Sequence, residues 1–248
     1  MDSNQFTIIY EDEAILVVVK PRGLATAPLA KDINGNNLTK LVFNYCPAIA
    51  LVQGFSGSEG GLLHRLDNAT EGLVLYAKEQ SSFDFLLNEA KLSNFKKYYL
   101  AYSLAGLANL NPDNIKENNW QILLNKNKFG NFKIALTTGF VKAKAKSSKV
   151  RAVGLSGSLK ATKPYLSNFT LNSDKDFIKI DCFLTQGFRH QIRASLAVLG
   201  LPIINDPLYN AGNCKGTMQF WATALAFKHP SGEQLFIDYE PVTNAEKQ

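Results

Sequence analysis

Cysteine, histidine and long apolar runs are all scarce in this chain of 248 residues, and each shortage excludes something. The three cysteines, Cys46, Cys182 and Cys214, are far apart and odd in number. They form neither a disulfide framework nor a CxxC metal motif, which fits a reducing compartment and points to the cytoplasm. The three histidines, His64, His190 and His229, sit in different segments without ligand spacing. No zinc site or Ser-His-Asp triad is therefore expected. No apolar run approaches the roughly 20 residues that span a bilayer. The opening MDSNQFTIIYEDE lacks the basic region and hydrophobic core of a secretory signal. Acidic residues are the minority charge, 21 Asp and Glu against 27 Lys and Arg, a formal net charge of +6 that favours a polyanionic partner.

What the chain does have is an uneven distribution of that charge. From Gly139 to Lys163 there are seven basic residues (Lys142, Lys144, Lys146, Lys149, Arg151, Lys160, Lys163) and no acidic one. In VKAKAKSSKVR the lysines alternate, so in extended chain Lys142, Lys144 and Lys146 project from one side. Such a row is either a solvated strand whose lysines discourage edge pairing or a surface that contacts phosphates.

A composition of 46% hydrophobic and 19% charged residues describes a globular protein. Its patterning reads as α+β with many short strands: FTIIY, AILVVVK, LVLYAK, KYYLAYSLAG, YLSNFTL and FIKIDCFL. NNLTKLVFNYC places Leu38, Leu41, Val42 and Tyr45 on one helical face. Ser81 or Ser82 can cap a helix striped with Phe83, Leu86, Leu87 and Ala90. RHQIRASLAVLG reads as a helix from about residue 189, closed by Gly200 and Pro202. That start puts Arg189 and Arg193 on one face near the N-terminal end, opposite a core-facing stripe of Ile192, Leu196 and Leu199. Two cations there oppose the helix dipole and each other, a cost that a buried carboxylate or nucleic-acid phosphates would offset. The last hairpin, TALAFKHPSGEQLFIDY, turns at Pro230-Ser231-Gly232, which makes His229 a turn residue. The polar segment 106–130 reads as an excursion between two halves, about 1–105 and 106–240, of a single domain spanning 1–248.

HRLDNATEGLVLYAK, residues 64–78, holds a carboxylate whose role its neighbours leave open. Asp67 alone reads as the capping residue of a turn through Asn68 and Ala69. Glu71, four residues on, could pair with it as in a glycosidase, but DNATEG reads as a turn, so a solvent-facing Glu71 is expected.

Taken together and in order, these blocks resemble the RluA-type pseudouridine synthases, which isomerise uridines in ribosomal and transfer RNA. The similarity begins at IIYEDEAILVVVKPRGLATAP, is strongest at HRLDNATEGLVLYAK, and continues through KKYYLAYSLAG, GFRHQIRASLAVLGLPIINDPLY and FKHPSG. It implies a mixed, mainly antiparallel sheet with flanking helices, two subdomains around a central catalytic cleft, and no metal or organic cofactor. It implies that Asp67 is the catalytic carboxylate, Arg193 its ion-pair partner and Tyr99 the aromatic that packs by the uracil ring. Arg65 would help displace the target uridine from its stack, and a close arginine is what keeps a cleft carboxylate ionised. His64 and Arg189 are further expected RNA contacts, and with no separate N-terminal RNA-binding domain expected, so are Lys142, Lys144 and Lys146. The chain departs from the family pattern at Glu71, at Phe188-Arg189 and at Trp221. The expected protein is a monomer that binds RNA and no membrane. A catalytically silent RNA-binding or ribosome-assembly protein, and a hydrolase using Asp67 and Glu71, are the alternatives.

Overall fold

The fold was obtained as a computed structural model, which describes residues 6–28, 35–104, 110, 121–126, 132–143, 149–154, 163–174 and 176–243. In chain order the first half holds β1 (Thr7–Glu11), β2 (Ile15–Lys20), α1 (Leu38–Tyr45), α2 (Ala48–Leu51), β3 (Glu71–Ala77), α3 (Gln80–Lys91) and β4 (Lys96–Ser103). There follow β5 (Gln121–Lys126), β6 (Phe132–Lys142), β7 (Val150–Val153), β8 (Tyr165–Ser173), β9 (Ile178–Leu184), α4 (Gln191–Val198), β10 (Phe220–Lys228) and β11 (Gln234–Asp238). This is an α+β protein with a mixed, mostly antiparallel sheet; β3 and β10 run parallel. It divides into two units, Met1–Lys97 with Trp221–Val242, and Tyr98–Phe220 with Thr243–Gln248. The expected halves put the terminal hairpin in the second; it is part of the first.

In the first unit the strand order is β1-β2-β3-β10, with β11 beside β10. The run ILVVVK has no polar alternation, and all six residues of β2 are buried, Lys20 included. Strands covered on both faces need such solid apolar runs. Ile15, Val17, Val19, Leu73 and Leu75 pack with Phe83 and Leu86 of α3, each side chain contributing about 1.5–3 kcal/mol on burial. Gly72 is squeezed between Lys20 of β2 and Ala222 of β10. Its φ of 135° and the Ala222 carbonyl, into which a Cβ would collide, both require glycine.

In the second unit the order is β4-β9-β8-β6-β5, with β7 paired to β6. Here the strands alternate, as β8 does with Ser167, Phe169 and Leu171 buried and their neighbours less so. Phe140, Val150, Ala152 and Ala194 form a separate cluster with Phe188, Tyr165 and Tyr209 against it.

Three helical expectations need correction. The buried face of α1 is Leu38, Thr39 and Val42, while Tyr45 is half exposed and donates to Glu11. Thr39 goes inward because its hydroxyl donates to the Thr26 carbonyl (2.8 Å) and lies 3.1 Å from the Tyr76 phenol. The cap of α3 is Glu79, not a serine: Ser81 and Ser82 lie inside the first turn and turn their hydroxyls back to the Glu79 carboxylate. Helix α4 starts at Gln191, after His190 at φ 56°, so Arg189 precedes it and is exposed while Arg193 is buried. The two arginines do not share a face. The C-terminal end is as expected: Gly200 at φ 78° lets the Leu201 amide donate back to Leu196.

Candidate active site

Asp67 opens a β-turn, closed by the Thr70 amide donating to the Asp67 carbonyl (3.0 Å). The turn reading is therefore correct for the backbone, yet the residue is half-buried rather than solvated. Its turn is held from the end of β2 and the segment that follows. The Gly23 amide and the Lys20 ammonium both donate to the Asn68 carbonyl (2.8 and 3.3 Å), and Arg22 Nη1 donates to the Ala69 carbonyl (3.0 Å). One residue earlier, Thr26 Oγ1 donates to the Leu66 carbonyl and accepts from the Leu66 amide.

Lys20 was not singled out by sequence reasoning. Its ammonium also donates to the carbonyls of Pro21 (2.7 Å) and Leu24 (2.9 Å), a full set of acceptors for three protons. Burial lowers its pKa to about 7, with Arg22 adding to the fall and the charges of Asp67 and Glu71 opposing it. The signal in the sequence was a cation ending an otherwise solid apolar strand, which the fold must satisfy internally.

Glu71 is not solvent-facing. Its Oε1 accepts from the Tyr239 phenol (2.7 Å) and its Oε2 lies 3.4 Å from Arg22 Nε. Both oxygens are thus engaged by residues that shape the turn, which removes the basis for a two-carboxylate hydrolase. Trp221, another departure, is buried in register with Glu71 and lies under the Arg22 guanidinium, 4.7 Å away.

The other two residues of the motif differ in exposure. Arg65 is exposed and pairs with the buried carboxylate of Glu59, which also accepts from Ser56 Oγ (2.8 Å). The His64 ring is turned inward, edge-on to Phe95 at 5.5 Å, with both nitrogens buried and without hydrogen-bond partners. Burial, then the nearby Lys97 charge, lowers its pKa to about 3. The ring nitrogens thus face the interior, beside the core residue Phe95.

In the second unit, Gln191 pins the start of α4. Its Oε1 accepts from the Phe188 amide (2.9 Å), and its Nε2 donates to the Leu166 carbonyl and Ser167 Oγ. Two residues later Arg193 meets Asp206, Nε and Nη2 each donating at 2.8 Å to the two carboxylate oxygens. Here is the buried carboxylate that the misplaced cation on this helix required. Asp206 is fully buried; burial alone would push its carboxyl up, but Arg193 and the amides of Leu208 and Tyr209 hold it below the usual range. Tyr209 lies 5.4 Å under the Arg193 guanidinium and is fixed at its hydroxyl by both backbone groups of Val150. Sequence reasoning missed Asp206, although an Asp before Pro-Leu-Tyr is a recognisable turn-forming site.

Tyr99 is half-buried on β4, its ring stacked on Phe220 at 5.4 Å and 14°. Phe188 stacks on Phe140 at 5.2 Å, so this departure serves packing. Lys142 is exposed at the end of β6, opposite Val150, whereas Lys144 and Lys146 lie outside the described residues. Among the described residues no three His, Cys, Asp or Glu side chains cluster to hold a metal, and no helix is long and apolar enough to cross a membrane.

Comparison with known proteins adds a family. The model described as RNA pseudouridylate synthase matches residues 14–198. The protein named "Uncharacterized RNA pseudouridine synthase MG209 homolog", from Mycoplasma pneumoniae, is 30% identical over 230 residues, 90% of this chain and 62% of that protein. "Ribosomal large subunit pseudouridine synthase D" of Neisseria meningitidis serogroup B is 26% identical over 253 residues, 96% of this chain and 58% of that protein. The chain thus spans about three fifths of the length of both. The solved structure of "Human RNA Pseudouridylate Synthase Domain Containing 1" has a TM-score of 0.66 at 17% identity, covering 97% of this chain and 85% of that one, a likeness of fold.

Proposed function

The chain belongs to the RNA pseudouridylate synthase family, and on that premise we propose that it isomerises a uridine within RNA, with Asp67 as the catalytic carboxylate. The observation that carries the reading is the clamped turn: a half-buried aspartate on a loop tied at two successive carbonyls, Asn68 and Ala69. A turn that only reverses the chain has no need of a buried ammonium, a guanidinium and an amide to hold it. Fixing a reactive group in this way is what lowers the cost of reaching the transition state.

The reaction breaks the bond between ribose C1′ and uracil N1, turns the ring, and joins C1′ to C5. The C5 proton is released and N1 gains one, so atoms balance without oxidant, metal or organic cofactor. Asp67 acts at the ribose, either attacking C1′ or taking a proton in an elimination. In this reading Arg193, held by Asp206 through Nε and Nη2, is also the ion-pair partner of Asp67. Tyr99, backed by Phe220, confines the detached ring so that rejoining outruns escape. Arg65 occupies the stack vacated by the flipped uridine, and Arg189 and Lys142, both exposed, contact phosphates. The Neisseria relative's name makes ribosomal RNA the first substrate class to try.

RNA tritiated at uridine C5 tests this. The folded protein should release tritium, and Asp67→Asn should release none above background. No release from any cellular RNA pool would instead indicate a silent binder, and free uracil among the products a hydrolase.

A further inference from the structure

The geometry points to Arg22 as a positioning residue that sets Asp67 through the Asn68–Glu71 segment, with Glu71, Trp221 and Tyr239 serving to hold Arg22. This rests on the reading of Asp67 as the catalytic carboxylate. Arg22 lies two residues past the end of β2, and its side chain is only 18% exposed. It engages both sides of Thr70, the residue whose amide closes the turn on Asp67. On one side Nη1 donates to the Ala69 carbonyl; on the other Nε faces the Glu71 carboxylate. The face of the same guanidinium lies over Trp221. Only arginine joins these three roles, because its donors lie in one plane and its π-face is left for stacking.

The partners are themselves fixed. Glu71 pairs with Trp221 in the β3–β10 register and accepts from Tyr239, whose phenol is pushed up to about 12 by its burial and by that carboxylate. Two positions where the chain departs from the family pattern, Glu71 and Trp221, are therefore parts of one assembly. Glu71 does not add an unmatched negative charge to a surface that receives a polyanion. Its charge is answered by Arg22, and the pair leaves the Asp67 turn with a rigid floor.

Single-turnover tritium release with Arg22→Ala, Arg22→Lys, Glu71→Gln and Asp67→Asn tests the assignment, alongside Tm and RNA affinity. Arg22→Ala should slow the single-turnover rate by about 10- to 100-fold, the scale of an ångström-sized misplacement, while RNA affinity stays within about threefold. Arg22→Lys should restore Tm and recover only part of the rate, because an ammonium cannot stack and bridge at once. Arg22→Ala with Glu71→Gln should be no slower than Arg22→Ala alone. A full rate in Arg22→Ala, or a loss confined to RNA affinity, would overturn the proposal, as would a rate that simply follows Tm across the series. If Arg22→Ala does not fold, Arg22→Lys decides: a wild-type rate overturns it. An active Asp67→Asn would instead remove the reading on which it rests, a result distinguishable from any Arg22 outcome.

Discussion

A buried guanidinium is tolerable only beside its carboxylate, and the Arg193–Asp206 pair sets the strongest residue-scale expectation. Asp206→Ala removes the bidentate carboxylate from a guanidinium that is only 4% exposed, and breaking such a pair costs about 3–5 kcal/mol. Urea denaturation should read that loss. Replacing both partners with apolar residues, Arg193→Met with Asp206→Leu, should restore much of the stability while tritium release stays absent. Recovery of both would deny Arg193 any chemical role. His64 gives a pH dependence whose direction is fixed by its burial. The unfolded chain takes up a proton on this ring below about pH 6.5, whereas the folded chain resists until about pH 3. Stability is therefore complete above pH 6.5 and falls through that window, by up to about 1.4 kcal/mol per pH unit. His64→Leu should remove that part of the acid sensitivity, visible as a flatter curve of urea midpoint against pH.

At the scale of elements, what was legible in the sequence was what is local. ILVVVK, LVLYAK and the FKHPSG hairpin were readable because their burial and turn chemistry lie within a few residues. The turn at Asp67 was readable because its residues are contiguous. The start of α4 was not, since His190 in the left-handed region and the Gln191 side chain set it through contacts with β8. Nor was the inward face of α1, where Thr39 is chosen by Thr26 and Tyr76, partners 13 and 37 residues away. Lys20, Arg22 and Asp206 escaped for the same reason: each acts on a carbonyl or charge that only the folded chain brings near. Gly72 shows how tightly the site's strands are packed. Gly72→Ala forces a Cβ into the Ala222 carbonyl at a φ only glycine adopts readily, and should destabilise the fold by about 2–4 kcal/mol, among the larger single-residue effects. A thermal melt unchanged by this substitution would show that β3 and β10 are not so closely paired.

At the scale of the whole molecule, the proposed reading gives the positive excess and the basic run from Gly139 to Lys163 a part in holding RNA, not in changing it. Lys142, Lys144 and Lys146 changed together to Gln should lower the salt slope of RNA binding by about 2, if each neutralises one phosphate of a single strand. An unchanged slope returns that stretch to a solvated strand. In the proposed function the chemistry rests on Asp67, and product analysis asks about it most directly. One cellular RNA pool would be incubated with wild type and with Asp67→Asn of equal Tm, digested to nucleosides and separated. The account predicts that wild type converts uridine to an equal amount of pseudouridine with no free uracil, and that Asp67→Asn converts none. Pseudouridine formed by Asp67→Asn at the wild-type rate would contradict it.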